Sequence, residues 1–368
     1  MSGPPLAPVV RADTVFDLTA ALVAVGSVSR DEAGLADLVE ARLTGRAPHL
    51  RVTRVGNNVV ARTAHDRPTR VMLAGHLDTV PGVPPTGPPA SGDVIEGLGA
   101  VDMKGGVAVM LMLAELVRDP AHDLTFVFYD REEIGSHQSG MRLLFDEHRE
   151  LVTADAAVLL EPTDGLLEAG CQGNLVVEFT FTGARAHTAR PWRGRNAVHL
   201  AIPALARFAA FEPPPVEIDG LVYRQSASVV AVTAGVQGNV VPDRCTVKVN
   251  YRHAPHLGTA AAIEELTALA PEADEVHVLL TSPPAAPALT HPLLSALRRT
   301  GGLDVRPKLG WTDVGRFAAH GIPAVNFGPG DSELAHTPHE VVSRDALGHC
   351  LAVLHRFVGA TDRTADPT

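Results

Sequence analysis

Four short apolar runs along the chain are each followed by side chains that bind cations. The runs are VMLAG from Val71, LTFVFY from Leu124, AAVLL from Ala156 and PAVNF from Pro323. Continuous apolar runs of this length are typical of strands that are buried on both faces of a parallel sheet. Because the carboxyl ends of parallel strands meet at one edge of the sheet, we expect the polar residues that follow these runs to lie close together.

Segments with the helical spacing of apolar residues alternate with these runs. The clearest are residues 17–43, with a break at 27–32, and residues 107–117. The alternation of strands and helices predicts an α/β domain with a mostly parallel sheet.

In the middle of the chain the pattern changes. LVVEFTF, from Leu175, alternates apolar and polar residues as a strand with one solvated face does. Strands and helices then follow in the order β-α-β-β-α-β, which is typical of a ferredoxin-like α+β domain. The predicted organisation is a catalytic domain formed by residues 1–172 and 285–368, interrupted by an inserted domain at 173–284.

Composition excludes several classes of function. The 368 residues include 31 basic and 42 acidic side chains, a net charge of -11, which argues against nucleic acid or an anionic membrane as a partner. Three widely spaced cysteines exclude a disulfide framework and a Cys-x-x-Cys zinc or redox motif. The sequence has no signal-peptide pattern at its amino end and no apolar stretch of membrane-spanning length, so we expect a soluble, cytoplasmic protein.

The residues that follow the apolar runs, together with a glycine-rich turn, offer the ligands of a two-metal site. Such a site needs a bridging carboxylate, an imidazole and a carboxylate on each ion, and a free carboxylate as base. The predicted assignment is Asp102 as the bridge, His76 and Glu161 on one ion, Glu133 and His336 on the other, and Glu132 as the base.

These assignments have alternatives. Asp78 is expected to orient the preceding imidazole, but it could bind metal itself. The Glu132-Glu133 pair could be a solvated acidic turn, and Glu161 could interact with a helix dipole, although Pro162 disfavours an immediate helix. Other catalytic classes lack their motifs, because the chain has no Gly-x-Ser-x-Gly, no phosphate-binding loop and no His-Glu-x-x-His.

The sequence resembles the two-zinc aminoacylase and carboxypeptidase metallohydrolases. The resemblance spans nearly the whole chain and rests on motifs in the family's order: GHLDTVP, GLGAVDMKGG, the glutamate pair, LLEPT, GARAHTARP, GNVVPD and NFGPGDSELAH. It implies two Zn²⁺ per subunit, with Co²⁺ possible at one site, and a cis peptide after Asp102. It also implies a homodimer formed through the inserted domain. Spacing alone leaves His336 and His339 equivalent as ligands, and the family pattern favours His336.

Within the family, the sequence is most similar to the branch that hydrolyses N-succinyl-LL-2,6-diaminopimelate in lysine and cell-wall precursor synthesis. The similarity lies in GCQG from Gly170, GLVYR from Gly220, VNYR from Val249 and GWTDVGRF from Gly310. The expected products are succinate and LL-2,6-diaminopimelate.

The same resemblance implies four substrate contacts, namely His187, Asn239, Arg252 and Thr312. His187 is expected to reach the active site of the neighbouring subunit and stabilise the oxyanion, although by itself it reads as a surface histidine. Arg252 suits a substrate carboxylate, with a structural ion pair as the alternative.

One departure from the family pattern concerns the acyl group. Cys171 and Gln172 stand where an arginine pair is often found, so the arginine expected to bind the succinyl carboxylate is missing. Arg185, Arg193 and Arg195 are candidates to replace it. The alternative functions are the same chemistry on N-acetylornithine or on a dipeptide, or a non-catalytic relative that keeps the fold as a binding module.

Overall fold

The computed structural model describes residues 7–82 and 89–359. The chain forms two compact units: Met1–Ala169, Ala288–Arg306 and His320–Thr368 make up the first, and Gly170–Pro287 with Pro307–Ala319 the second. The sequence predicts that Pro307–Ala319 belongs with residues 285–368. In the structure this segment is part of the second unit, where Trp311 Nε1 donates to the carbonyl of Pro283 at 2.9 Å. The roles assigned to the domains stay predictions.

Ten α-helices are formed in the described residues. They are α1 (Ala7–Arg11), α2 (Val15–Val23), α3 (Ala33–Arg46), α4 (Gly105–Leu116), α5 (Gly140–Glu147), α6 (Ala197–Ala209), α7 (Thr259–Ala268), α8 (Pro292–Gly301), α9 (Val314–Ala319) and α10 (Arg344–Val358).

The same residues form seventeen strands. They are β1 (Arg51–Val55), β2 (Asn58–Arg62), β3 (Arg70–His76), β4 (Ala90–Ser91), β5 (Val94–Glu96), β6 (Asp123–Tyr129), β7 (Ala156–Leu159), β8 (Leu167–Ala169), β9 (Gly173–Thr182), β10 (Val216–Ile218), β11 (Leu221–Tyr223), β12 (Ser226–Ala234), β13 (Arg244–His253), β14 (Glu275–Ser282), β15 (Val305–Pro307), β16 (Ala324–Asn326) and β17 (Val341–Ser343).

The first unit is built on an eight-stranded sheet in the order β1-β2-β6-β3-β7-β16-β8-β15. The four central strands β6, β3, β7 and β16 run parallel. Strand β2 pairs antiparallel with β6 on one side, and β8 pairs antiparallel with β16 on the other. Each of the four coincides with all or part of one of the apolar runs. The predicted α/β class with its parallel core is therefore confirmed.

Glycine allows helix α4 to pack closely on this sheet. A Cβ atom built at Gly106 would lie 2.3 Å from the carbonyl oxygen of Leu160 and 2.9 Å from its Cβ. No side chain fits in that space, so the helix approaches the end of β7 through bare backbone. The turn that precedes α4 is thereby brought to the carboxyl end of the parallel strands.

The second unit has the predicted ferredoxin-like order. Strand β9, helix α6, strands β12 and β13, helix α7 and strand β14 occur in this order, with the short hairpin β10–β11 between α6 and β12. They form an antiparallel sheet in the order β12-β13-β9-β14, so the first and third strands lie in the middle. The alternate residues Leu175, Val177, Phe179 and Phe181 of β9 enter a core that α6 and α7 also line.

The segment that follows the glutamate pair, rich in small and polar residues, is not helical at first. Helix α5 begins at Gly140, and Ser139 caps it by accepting from the backbone N–H of Met141. Residues 83–88 lie outside the described part of the chain, and the short strand β4 follows them. No helix among the described residues is both long and apolar enough to cross a membrane.

Candidate active site

The carboxyl ends of the central strands deliver most of the predicted metal ligands to one place. His76 is the last residue of β3, Glu132 and Glu133 follow β6, and Glu161 follows β7. Asp102 lies in the turn Ala100–Lys104 that leads into α4, where the Asp102–Met103 peptide bond is cis, as the resemblance implies.

Asp102 lies between two histidines. His76 Nε2 is 2.9 Å from Asp102 Oδ1, and His336 Nε2 is 3.4 Å from Asp102 Oδ2. His336 Nε2 is also 2.8 Å from Glu133 Oε1. Each oxygen of one carboxylate therefore faces a different imidazole, which is the arrangement that a carboxylate bridging two metal ions requires.

The donor atoms fit metal ions. His76 Nδ1 lies 2.9 Å from the backbone oxygen of Asp78, so it carries a proton and leaves Nε2 as the ligand atom. The ligand atoms of His76, Asp102 and Glu133 lie within 4.8 Å of one another. A nitrogen and an oxygen lone pair at such distances need a cation or a proton between them, and imidazole with carboxylate is a ligand set that suits zinc.

The pKa values reflect the same crowding of charge. Burial lowers the pKa of the His76 imidazole, but hydrogen bonds to Asp102 and Asp78 outweigh burial and raise it well above its ordinary value. Hydrogen bonds to Asp102 and Glu133 raise the pKa of His336 to about 10. Burial raises the pKa of Asp102, and the two histidines reverse this and lower it strongly.

Asp78 organises the loop that carries the two glutamates. Its Oδ1 accepts from the backbone N–H of Glu132 at 2.9 Å, and its Oδ2 accepts from the backbone N–H of Glu133 at 3.0 Å and from Ser29 Oγ at 2.7 Å. Both oxygens are engaged in this way, and Oδ1 also lies 3.5 Å from His76 Nδ1. The orienting role of Asp78 towards the imidazole stays a prediction. The contact with the glutamate loop was not predicted.

The structure also shows where Glu161 lies and how His336 and His339 differ in position. Glu161 is 5% exposed, and its charge contributes to the raised pKa of His76. Both histidines are exposed. The His336 ring approaches Asp102 and Glu133, whereas the backbone N–H of His339 donates to Thr337 Oγ1. The structure thus brings His336 to the predicted ligands. The individual roles stay predictions.

Glu340 is a residue of this site that sequence reasoning missed. It is 2% exposed, and its Oε2 accepts from the backbone N–H groups of Val101 at 3.1 Å and Asp102 at 3.2 Å. Burial raises its pKa. The buried carboxylate therefore holds the turn that presents Asp102. Its position four residues after His336 was the available signal, but many acidic residues have such a position.

The four predicted substrate contacts all lie in the second unit. The turns of His187 and Asn239 are adjacent, because the backbone N–H of Thr188 donates to the carbonyl of Asn239 at 3.0 Å. Arg252 is half-buried on β13, where its Nε donates to Asn250 Oδ1 at 3.2 Å, and Thr312 is 4% exposed.

The arginines proposed to replace the missing pair differ in their surroundings. Arg185 forms an ion pair with Asp243 at 2.7 Å, and Arg195 donates to the carbonyl of Thr182 at 2.7 Å. Cys171 and Gln172 are both buried, and Gln172 Nε2 donates to the carbonyl of Arg224 at 2.7 Å. The side-chain amide of Gln172 therefore donates to the protein's own backbone.

Comparison with known proteins gives consistent matches. Residues 72–360 match peptidase family M20/M25/M40. A Mycobacterium tuberculosis protein provisionally named succinyl-diaminopimelate desuccinylase DapE is 46% identical over 95% of this chain and 99% of its own length. The succinyl-diaminopimelate desuccinylase of Corynebacterium glutamicum is 40% identical over 93% of this chain and 95% of its own length.

A solved structure shares the fold. The crystal structure of aminopeptidase PepT from Bacillus cereus aligns with a TM-score of 0.77 and 20% sequence identity, covering 94% of this chain and 97% of that one.

Proposed function

The chain belongs to peptidase family M20/M25/M40, and from that premise we propose that it hydrolyses N-succinyl-LL-2,6-diaminopimelate to succinate and LL-2,6-diaminopimelate. The position of Asp102 between two histidines supports a metal-dependent amide hydrolase. The similarity to proteins named as desuccinylases, over more than nine-tenths of the chain, supports the substrate. The reaction would serve lysine and cell-wall precursor synthesis.

Two zinc ions per subunit are proposed as the cofactors. Asp102 would bridge them, His76 and Glu161 would hold one, and Glu133 and His336 would hold the other. When bound, such a pair polarises the amide carbonyl and lowers the pKa of water at the site. Imidazole and carboxylate ligands also suit cobalt, so Co²⁺ is proposed as an alternative occupant of one position.

Glu132 is proposed to move the proton. Its backbone N–H donates to Asp78 Oδ1 at 2.9 Å, and this contact fixes the loop that carries the glutamate. Glu132 would accept a proton from the attacking water as the C–O bond forms, and would then return it to the amine nitrogen as the amide C–N bond breaks. General base catalysis of this kind contributes about 10²–10⁴-fold to the rate.

The second unit is proposed to bind the substrate. Among the described residues, the guanidinium of Arg252 makes no ion pair, and a planar fork of donors suits a substrate carboxylate. Asn239 and Thr312 would contribute further polar contacts. His187 is exposed, which an oxyanion donor that serves a neighbouring subunit requires.

The chain is proposed to form a homodimer through an edge strand of the second unit. Strand β12 lies at the edge of its sheet and exposes Val229, Val230 and Val232, which are 37%, 56% and 48% accessible. An exposed apolar edge strand is a template for pairing with another chain. Location in the cytoplasm stays a prediction from the sequence.

The test is hydrolysis by the zinc-loaded chain of N-succinyl-LL-2,6-diaminopimelate beside N-acetylornithine. Glu132→Gln should abolish turnover while zinc content stays unchanged, and Glu147→Gln, at an exposed position of α5, should retain full activity. Cleavage of the acetyl compound alone would leave the reaction type standing and overturn the substrate. Binding of two zinc ions without hydrolysis of either compound would favour a non-catalytic role.

A further inference from the structure

A basic cleft lies at the end of the first unit's sheet that is remote from the metal ligands. It has a volume of about 520 Å³, and four arginines line it: Arg51, Arg54, Arg62 and Arg70. Its wall also includes Val55, Ala64 and Leu151, together with His148 and Glu150. The cleft is unexpected in a chain whose net charge is -11.

The strand register places three of these arginines together. Arg51 of β1 is directly opposite Arg62 of β2, and Arg62 is in turn opposite Thr125 of β6. Arg70 Nη1 reaches Thr125 Oγ1 at 3.3 Å. Like charges directly opposite one another in a sheet are destabilising. A destabilising arrangement of this kind is expected where binding requires it.

Two of the arginines are neutralised within the protein. Arg54 forms ion pairs with Asp37 at 3.1 Å and Glu40 at 3.0 Å. Arg70 Nη2 is 3.4 Å from Asp123 Oδ2.

The other two arginines have no carboxylate partner in the described part of the chain. Arg62 donates to the carbonyl of Glu150 and lies 3.5 Å from Thr153 Oγ1, whereas Arg51 is exposed and makes no side-chain hydrogen bond there. The Glu150 carboxylate is 72% exposed and lies 3.9 Å from His148 Nδ1. Burial, and then the charge of Arg70, lower the pKa of Arg62, and the charges of Asp123 and Glu150 offset this only in part.

The cleft is separate from the metal centre. Strand β3 begins at Arg70, beside the cleft, and ends at His76. Six residues of extended strand span about 20 Å. A molecule of metabolite size in the cleft therefore cannot also contact the metal ligands.

We propose that this cleft is a second binding site, for a small anion that carries phosphate or carboxylate groups. Guanidinium groups bind both kinds of oxyanion through paired N–H donors, and the positions of Arg51 and Arg62 suit one anion held between them. The volume lies in the range of small-molecule sites, and the aliphatic wall can accept an uncharged portion of the ligand.

The experiment is calorimetric titration of the zinc-loaded, full-length chain with inorganic phosphate and, separately, with glutarate. The two arms distinguish a phosphate ligand from a dicarboxylate. Arg51→Gln/Arg62→Gln should weaken binding of the preferred anion at least tenfold. Its melting temperature without ligand should equal or exceed that of the wild type, because the opposition of like charges is removed. Arg142→Gln, an exposed arginine on α5, should bind as the wild type does.

Two results would overturn the proposal. The first is equal binding by the double variant and the wild type, which would locate the anion elsewhere, the metal centre included. The second is a dissociation constant above about 10 mM for both anions in the wild type, which is too weak for a built site. If the double variant does not fold, Arg51→Gln alone removes an exposed guanidinium without a partner and decides the question.

Discussion

At the scale of single residues, the protons of His76 and His336 determine how the site takes up metal. Hydrogen bonds to Asp102 and Glu133 raise the pKa of His336 to about 10, so its imidazole is protonated at neutral pH. Metal binding requires the neutral ring, and the proton must therefore leave. Asp102 and Glu133 can therefore pair either with the protonated imidazole of His336 or with a metal ion.

We expect zinc binding at pH 7 to release protons and to strengthen as pH rises. Conversely, the protonated His336 contributes stability to the chain without metal. That contribution is complete below the unfolded pKa of about 6.5 and disappears as pH rises through about 10. Calorimetry in buffers of different ionisation enthalpy measures the release, with His336→Gln as the comparison. Zinc uptake without any proton release at pH 7 would contradict this account.

Glu340 supports metal binding by holding the backbone of the turn that carries Asp102. One of its carboxylate oxygens, Oε2, accepts from two consecutive N–H groups of that turn. Glu340→Ala should weaken zinc binding by about 10–100-fold, the usual effect of removing a group that supports a ligand. Activity should recover in excess zinc.

The conservative variant and a neighbour serve as controls for Glu340. Glu340→Gln keeps an acceptor oxygen and should restore part of the affinity, and Glu333→Gln, at an exposed position nearby, should leave it unchanged. Equilibrium dialysis with zinc gives the dissociation constants. Equal zinc affinity in Glu340→Ala and the wild type would exclude the positioning role.

At the scale of elements, the helix that follows the metal-binding turn depends on a glycine. Gly106→Ala would place a Cβ 2.3 Å from the Leu160 carbonyl oxygen, so α4 or β7 must move. We expect a loss of about 1–3 kcal/mol in the free energy of unfolding, as for other overpacked cores.

Gly348→Ala in α10 is the matched control for Gly106. No heavy atom lies within 4 Å of the added methyl, so the substitution should stabilise the protein by about 0.5–1 kcal/mol through helix propensity. Urea unfolding of both variants gives the comparison. A neutral Gly106→Ala would mean that the close approach of α4 to β7 is not required.

The elements also show how far sequence patterns predict this protein. The four apolar strands and the alternating strand β9 were predictable because burial on two faces or on one imposes a clear period. The three-residue strands β8 and β15 are too short to show any period. The sequence did not predict the contact of Glu340 with the Asp102 turn, because that contact is long-range. It did not predict the pairing of Arg51 with Arg62, because that pairing depends on strand register.

At the scale of the whole molecule, the proposed dimer would build each active site from residues of both chains. Val230 and Val232 are exposed apolar residues of the edge strand β12. Val230→Glu should yield monomers in sedimentation experiments, because an unpaired charge disfavours an apolar interface. Val276→Glu, on the other edge strand β14, is the control and should remain dimeric.

Mixing two inactive variants tests whether His187 acts across the dimer. His187→Ala lacks the oxyanion donor and Glu132→Gln lacks the base, so each homodimer should be nearly inactive. In a heterodimer, one active site combines the intact Glu132 of one chain with the intact His187 of the other. Random exchange of equal amounts makes half of the dimers mixed, each with one complete site, so activity should return to about a quarter of the wild-type value. If His187 instead serves its own chain, each site of the heterodimer lacks one group and mixing restores nothing.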